Sequence, residues 1–233
     1  NSKVLIAGGQ ENMSLAPHAI HLRDGKKLGD AELIDTMIRD GLWDAFHGYH
    51  MGVTAENVAE KFQITREQQD KFALRSHEKA LNAQKQKRFQ DEIMNFKITA
   101  NKAEINFNKD EHPREGINLE ALSRLKPVFK KNGTVTAGNA SGINDGAAAC
   151  LIMSEEMARK LNLSPIARIL DYASHSQEPE WFTTAPVSSI QKLLSKNNLK
   201  TNDVDLYEIN EAFAVVALTA IKELKLNSKC VNI

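Results

Sequence analysis

Two stretches of the sequence place polar groups where chemistry can use them. In GTVTAGNASGINDGAAACLIM, residues 133–153, four glycines and five alanines surround Asn139, Ser141 and Asn144. Such small side chains leave backbone N–H and C=O groups open to an extended ligand. Ser141 is the only hydroxyl between Gly138 and Gly146. The glycines at 138, 142 and 146 fit neither the G-x-G-x-x-G fingerprint nor a phosphate loop closing on Gly-Lys-Ser/Thr. The run reads equally as a tight loop leading into a small-residue helix packed on a sheet. In EINEAFAVVA a strand ends at Asn210, and Glu211 opens a helix. An amide there can orient a water or donate to a developing oxyanion. Glu211 at the helix start also serves the helix dipole.

Composition bounds what these stretches can belong to. The chain has 233 residues, 30 basic against 30 acidic, and 42% hydrophobic residues, enough for a sizeable core in one large domain or two modest ones. Zero net charge excludes a general nucleic-acid binder. No run of eighteen apolar residues is present, so no membrane-spanning helix is expected. Cys150 and Cys230 lie far apart, and a reduced intracellular compartment is the natural reading. The seven histidines read individually as surface or satisfied polar residues.

The elements that must position these groups follow from periodicity. KVLIAGG is an opening strand. In AELIDTMIRDGLW, Leu33, Ile34, Met37 and Ile38 form a helical stripe. TAENVAEKF is a helix with Ala55, Val58, Ala59 and Phe62 inward and Thr54 as its cap. Thr65 and Gln68 form a capping box for a long charged helix that reads as a surface element. From Asn101 to Lys131, seven basic residues face five acidic ones, a solvated face or a partner for phosphate. Residues 133–233 alternate strand and helix, as α/β folds do. CLIM is a strand, then Ser154 caps SEEMARKL. ARIL, VDLYEIN and CVNI are further strands, with helices over VSSIQKLLSKNN and EAFAVVALTAIKEL. The abrupt opening on NSKVLIAGG and the apolar ending are the pattern of an internal piece of a longer chain.

Taken together, AGGQENMS, GYHMGVTAENVAEKF, REQQDKFALRSHEKA, LKPVF, TAGNASGINDGAA and NEAFA, in this order, closely resemble the thiolase family, with the biosynthetic acetyl-CoA-condensing type nearest. The resemblance spans essentially the whole chain. It implies a layered α/β/α fold, present in part, with a mostly helical loop domain inserted. Residues 1–10 would end the N-terminal half, 11–143 form the loop domain and 144–233 begin the C-terminal half. It also implies a tunnel for the pantetheine arm of coenzyme A, lined by the small residues of the opening stretch.

By this match Ser141 contacts the pantetheine amides. Ala137, Ala140, Ile143, Phe129, Ala212 and Phe213 line the tunnel. His50 and Met51 stand near its acyl end, with Leu42 as an apolar contact. Arg114 lies near the adenosine, and Asn210 holds a water of an oxyanion hole. Read without the match, Phe129, Met51 and Leu42 are ordinary core residues. The substrates implied are acetyl-CoA, acetoacetyl-CoA and coenzyme A, with no further cofactor. A cytoplasmic homotetramer is implied, with no nucleic acid and no membrane partner.

Several departures qualify the match. The family's nucleophilic cysteine lies upstream of Asn1, and its GHP histidine and CxGGG cysteine lie downstream of CVNI. Cys150 and Cys230 match neither. In WFTTAPVSS, Thr183 and Ala185 stand where the family often has glycine, which narrows that edge of the tunnel. Ala121 stands where some members have a serine near the adenine. A chain of these residues alone is expected to lack thiolase activity. The competing expectations are a non-catalytic thioester-binding module of the same fold and a purely structural piece.

Overall fold

The computed structural model describes residues 2–100 and 103–233, residue 100 by its backbone alone. Asn1 of the opening stretch, and Asn101 and Lys102 of the basic segment, lie outside the described residues. In chain order the strands are β1 (Val4–Glu11), β2 (His18–Ala19), β3 (Ile34–Asp35), β4 (Trp43–Asp44), β5 (Tyr49–His50), β6 (Phe96–Ala100), β7 (Ala103–Phe107) and β8 (Gly146–Met153). The α-helices are α1 (Gly52–Lys61), α2 (Arg66–Lys85), α3 (Leu119–Ser123), α4 (Glu155–Lys160), α5 (Ala185–Lys196) and α6 (Ala214–Leu224). They fall into two compact units, Asn1–Met51 with Ile143–Ser174 and Gly52–Gly142 with His175–Ile233.

In the first unit β1 and β8 pair antiparallel without interruption, from Val4 opposite Met153 to Glu11 opposite Gly146. The CLIM strand is therefore the end of a longer one, and Ala147–Ala149 are strand rather than helix. An eight-residue partner satisfies every second backbone group of this run, which outweighs alanine's preference for helix. Asp145 ties the start of β8 to Ser14, accepting its backbone N–H at 2.9 Å and its hydroxyl.

Two expectations fail in this unit. The helix over residues 31–43 shrinks to one π-helical turn, Met37–Leu42. Ile34–Asp35 instead pairs with His18–Ala19, and Asp35 turns its carboxylate to the Met37 N–H at 2.9 Å. Local side-chain bonds of this kind compete with helix start-up. ARIL forms no ladder, and Ile169 and Leu170 are exposed. A strand needs a neighbour for its N–H and C=O groups, and none stands beside ARIL among the described residues. Helix α4 starts as expected, with Ser154 accepting the Met157 N–H at 3.2 Å.

The second unit is mostly helical. The Thr65–Gln68 capping box forms at the head of α2, with reciprocal bonds of 3.2 and 2.8 Å. Thr65→Ala should lower the unit's stability by about 1 kcal/mol, read as a lower urea midpoint at unchanged slope. Thr54 does not cap α1; the helix begins at Gly52 and Thr54 is buried inside its first turn. Helix α2 is not simply a surface element either, because it buries Gln69, Asp70 and Ala73. Val187 and Ile190 of α5 pack against a core of Tyr207, Ile209, Ala217, Ala220, Leu224, Leu226 and Val231.

Helix α6 begins three residues later than Glu211, at Ala214, so Glu211 lies outside it. VDLYEIN and CVNI are reduced to one parallel bridge, Tyr207 with Val231. The reason is Asn232, whose φ of 48° is left-handed and turns the chain off the ladder. Its side chain supplies the next rung instead, accepting the Ile209 N–H at 2.8 Å and donating to the Ile209 carbonyl at 2.9 Å. Cys230 accordingly ends a 3-10 turn rather than lying in a strand.

Candidate ligand-binding site

The small-residue loop of the second unit is built from below by α1 and α2. Glu56 of α1 accepts the Thr134 N–H and the Val135 N–H, each at 2.8 Å, through one carboxylate oxygen. Its other oxygen accepts the Thr134 hydroxyl at 2.9 Å. Gln69 of α2 donates to the Thr134 hydroxyl at 2.9 Å. Asp70 accepts the Asn139 side-chain amide at 2.9 Å. Asn139 in turn accepts the Thr136 N–H at 2.8 Å and donates to the Thr134 carbonyl at 3.1 Å. Loops lack a ladder of their own, so buried N–H groups here depend on these side chains.

The loop then meets the NEAF segment. Ala140 and Phe213 form an antiparallel bridge, and the Ser141 N–H donates to the Ala212 carbonyl at 3.0 Å. The Asn139 carbonyl accepts the Ala214 N–H at 2.8 Å, which satisfies an otherwise open donor at the head of α6. Phe129 meets Phe213 edge-on, with ring centres 6.2 Å apart at 89°. Phe129, Ala140, Ser141, Ala212 and Phe213 are thus gathered in one place, with Ser141 and Ala137 exposed. Asn210, two residues before Ala212, is also exposed.

The remaining candidates lie on other segments of the chain. Leu42, His50 and Met51 belong to the first unit, where the Met51 N–H donates to the Leu42 carbonyl at 2.8 Å and Trp43 pairs with His50. Burial lowers the His50 pKa below the ordinary histidine value. Ile143, also of the first unit, is exposed. Ala121 lies on α3, its N–H held by the Asn118 cap at 2.9 Å. Thr183 is buried with its hydroxyl unpartnered among the described residues, and Ala185 is the first residue of α5. Cys150 is exposed in β8, and both cysteines are free thiols.

Arg114 sits beside α2, its N–H donating to His77 Nδ1 at 3.3 Å while the His77 and His112 rings stack at 5.9 Å. Burial lowers the His77 pKa first, then the charges of His112 and Arg114, against the opposing pull of Glu211. The folded value therefore lies below the unfolded value of about 6.5. Stability is full above that value and is lost as pH falls through the folded one. Melting temperature should thus drop on acidification below about 6.5, and His77→Gln should flatten that drop. An unchanged acid slope in the variant would contradict this.

Sequence reasoning missed Glu56, Gln69 and Asp70, and gave Asn139 no role. Residues 1–156 match the model described as "Thiolase, N-terminal domain", and residues 163–233 match "Thiolase, C-terminal domain". The chain belongs to the thiolase family. Among curated relatives of this thiolase chain, the acetyl-CoA acetyltransferase of Rhizobium meliloti (strain 1021) is 50% identical over 233 residues, 100% of this chain and 59% of the relative. That of Paracoccus denitrificans is 48% identical, over 100% of this chain and 60% of its own length. The chain therefore spans about three fifths of the relatives it matches.

Solved structures agree on the fold. The Bacillus anthracis acetyl-CoA acetyltransferase superposes with a TM-score of 0.95 at 45% identity, covering 99% of this chain and 59% of that one. Human mitochondrial 3-ketoacyl-CoA thiolase gives 0.94 at 41% identity, covering 99% and 58%. The fold is the α/β fold of thiolases, covered in part, as the sequence resemblance implies. Among the described residues no helix is long and apolar enough to cross a membrane.

Proposed function

We propose that the chain is the coenzyme A-handling portion of an acetyl-CoA acetyltransferase. That enzyme condenses two acetyl-CoA molecules to acetoacetyl-CoA and coenzyme A, reversibly. An acetyl group passes from the first thioester to an enzyme cysteine, releasing coenzyme A. The second acetyl-CoA loses an α-proton to an acid/base group, and its carbanion attacks the acetyl-cysteine carbonyl, freeing the cysteine.

What supports this reading is the joining of Ala140–Ser141 to Ala212–Phe213. It sets an exposed serine, small side chains and an aromatic pair side by side in a thiolase chain whose relatives carry that name. Ser141 hydrogen-bonds the pantetheine amides in this reading, while Ala137, Ala140, Ala212, Phe129 and Phe213 form the channel wall. Leu42, His50, Met51 and Ile143 serve the acyl and pantetheine end, and Arg114 the adenosine. Asn210 holds a water that donates to the oxyanion as the carbonyl becomes tetrahedral.

Neither Cys150 nor Cys230 is assigned the nucleophile, so the 233 residues alone should give no thiolysis of acetoacetyl-CoA. The proposed layout keeps 1–10, 11–143 and 144–233 as the end of the N-terminal half, the loop domain and the start of the C-terminal half. A cytoplasmic homotetramer with no cofactor besides its thioester substrates completes the proposal.

Calorimetric titration tests it. The chain should bind coenzyme A, and Ser141→Ala should weaken binding by roughly three- to tenfold, the worth of one ordinary hydrogen bond. Absence of binding by the unaltered chain would refute the reading.

A further inference from the structure

Beneath the loop lies a set of buried polar groups that chain stability alone does not require. Glu56, Asp70 and Asn139 are each only 3% exposed, and Gln69 is fully buried. Asp70 is held from its other side by Arg66, whose Nε donates to it at 2.8 Å. The same guanidinium donates to the Leu122 carbonyl at 2.7 Å and the Leu125 carbonyl at 3.0 Å. Burying such groups costs desolvation, and well-packed apolar residues often serve stability as well or better. What apolar residues cannot do is fix the hydrogen-bond directions of a loop.

Those directions converge on one short segment. Glu56 fixes the N–H groups of Thr134 and Val135. Asp70 fixes the Asn139 amide, and through it the Thr136 N–H. The Asn139 carbonyl carries the head of α6, and the next residues, Ala140 and Ser141, carry Phe213 and Ala212. A shift of Asn139 is therefore transmitted along the backbone to Ser141 on one side and to the NEAF segment on the other.

We infer that Asp70 is a positioning residue for coenzyme A binding: with Arg66 behind it and Glu56 holding the same loop at Thr134 and Val135, it holds Asn139 so that Ser141 and Ala212–Ala214 keep their register. The inference rests on the reading of Ser141 as a pantetheine contact. It adds residues of α1 and α2 that touch no ligand.

The test uses the full chain and two probes, coenzyme A and 3′-phosphoadenosine 5′-diphosphate, which lacks the pantetheine arm. Asp70→Asn places an amide against either Arg66 or the Asn139 amide, donor against donor, while keeping the side chain's size. Its coenzyme A affinity should fall by about tenfold or more, as for loss of a charge-assisted hydrogen bond, with affinity for the nucleotide unchanged. Glu56→Gln, which acts on the same loop from a different helix, should show the same split and serves if Asp70→Asn fails to fold. Equal weakening of both probes, or no weakening in a variant with native circular dichroism, overturns the inference alone. Failure of the unaltered chain to bind coenzyme A overturns the underlying reading and this inference with it.

Discussion

Glu56→Ala should cost the second unit about 3 kcal/mol or more, the largest single loss expected from any side chain around the loop. The carboxylate holds two backbone N–H groups and one hydroxyl, all drawn from Thr134 and Val135. Its removal leaves those donors without a partner, and each unpaired buried group costs about 1–3 kcal/mol. Gln69 still donates to the Thr134 hydroxyl, but that bond supplies no acceptor for the hydroxyl proton or for either N–H group. The site is tight, because the Gly133 backbone lies against the carboxylate. A Cβ at Gly133 would stand 2.2 Å from Glu56 Oε1. Urea denaturation of Glu56→Ala and Glu56→Gln should rank alanine well below glutamine. Equal midpoints would show that water replaces the carboxylate at no cost.

Gly52→Ala separates helix propensity from packing. Propensity alone makes alanine better than glycine in a helix by up to about 1 kcal/mol. At Gly52 the new Cβ would stand 2.3 Å from Cγ and Cδ2 of Phe129. The ring must swing away, which breaks its edge contact with Phe213. Overpacking of this kind costs about 1–3 kcal/mol, so the net effect should be a loss. Coenzyme A binding should weaken as well if Phe129 lines the channel. A raised melting temperature in Gly52→Ala would show that the ring relocates freely.

How much of this was legible follows from what sets each feature. The Thr65–Gln68 box and the Ser154 cap are local patterns, and both form as read. The β1 strand and helix α5 have clear periodicity, and both are present. The motifs GYHMG, TAGNASGINDGAA and NEAFA carried the family. The strands ARIL, VDLYEIN and CVNI have strand composition, but pairing is decided elsewhere. ARIL has no neighbour among the described residues, and Asn232 turns the end of CVNI aside through a left-handed backbone.

The supports of the loop were hidden for a different reason. Periodicity assigns charged residues to solvent, so Glu56 and Asp70 read as exposed faces of α1 and α2. The available signal was weak. Glu56 lies three residues before Ala59, on the edge of the buried stripe, and Asp70 lies three before buried Ala73. Their loop partners, backbone N–H groups for Glu56 and the Asn139 side-chain amide for Asp70, lie more than sixty residues away in sequence, which no local pattern encodes.

Hydrogen–deuterium exchange with and without coenzyme A tests the central claim most directly. Coenzyme A should slow exchange in peptides covering residues 134–142 and 210–214, because the ligand lies along a loop whose small side chains leave its backbone reachable. Binding that leaves both peptides unchanged, or protects only distant ones, would contradict the account.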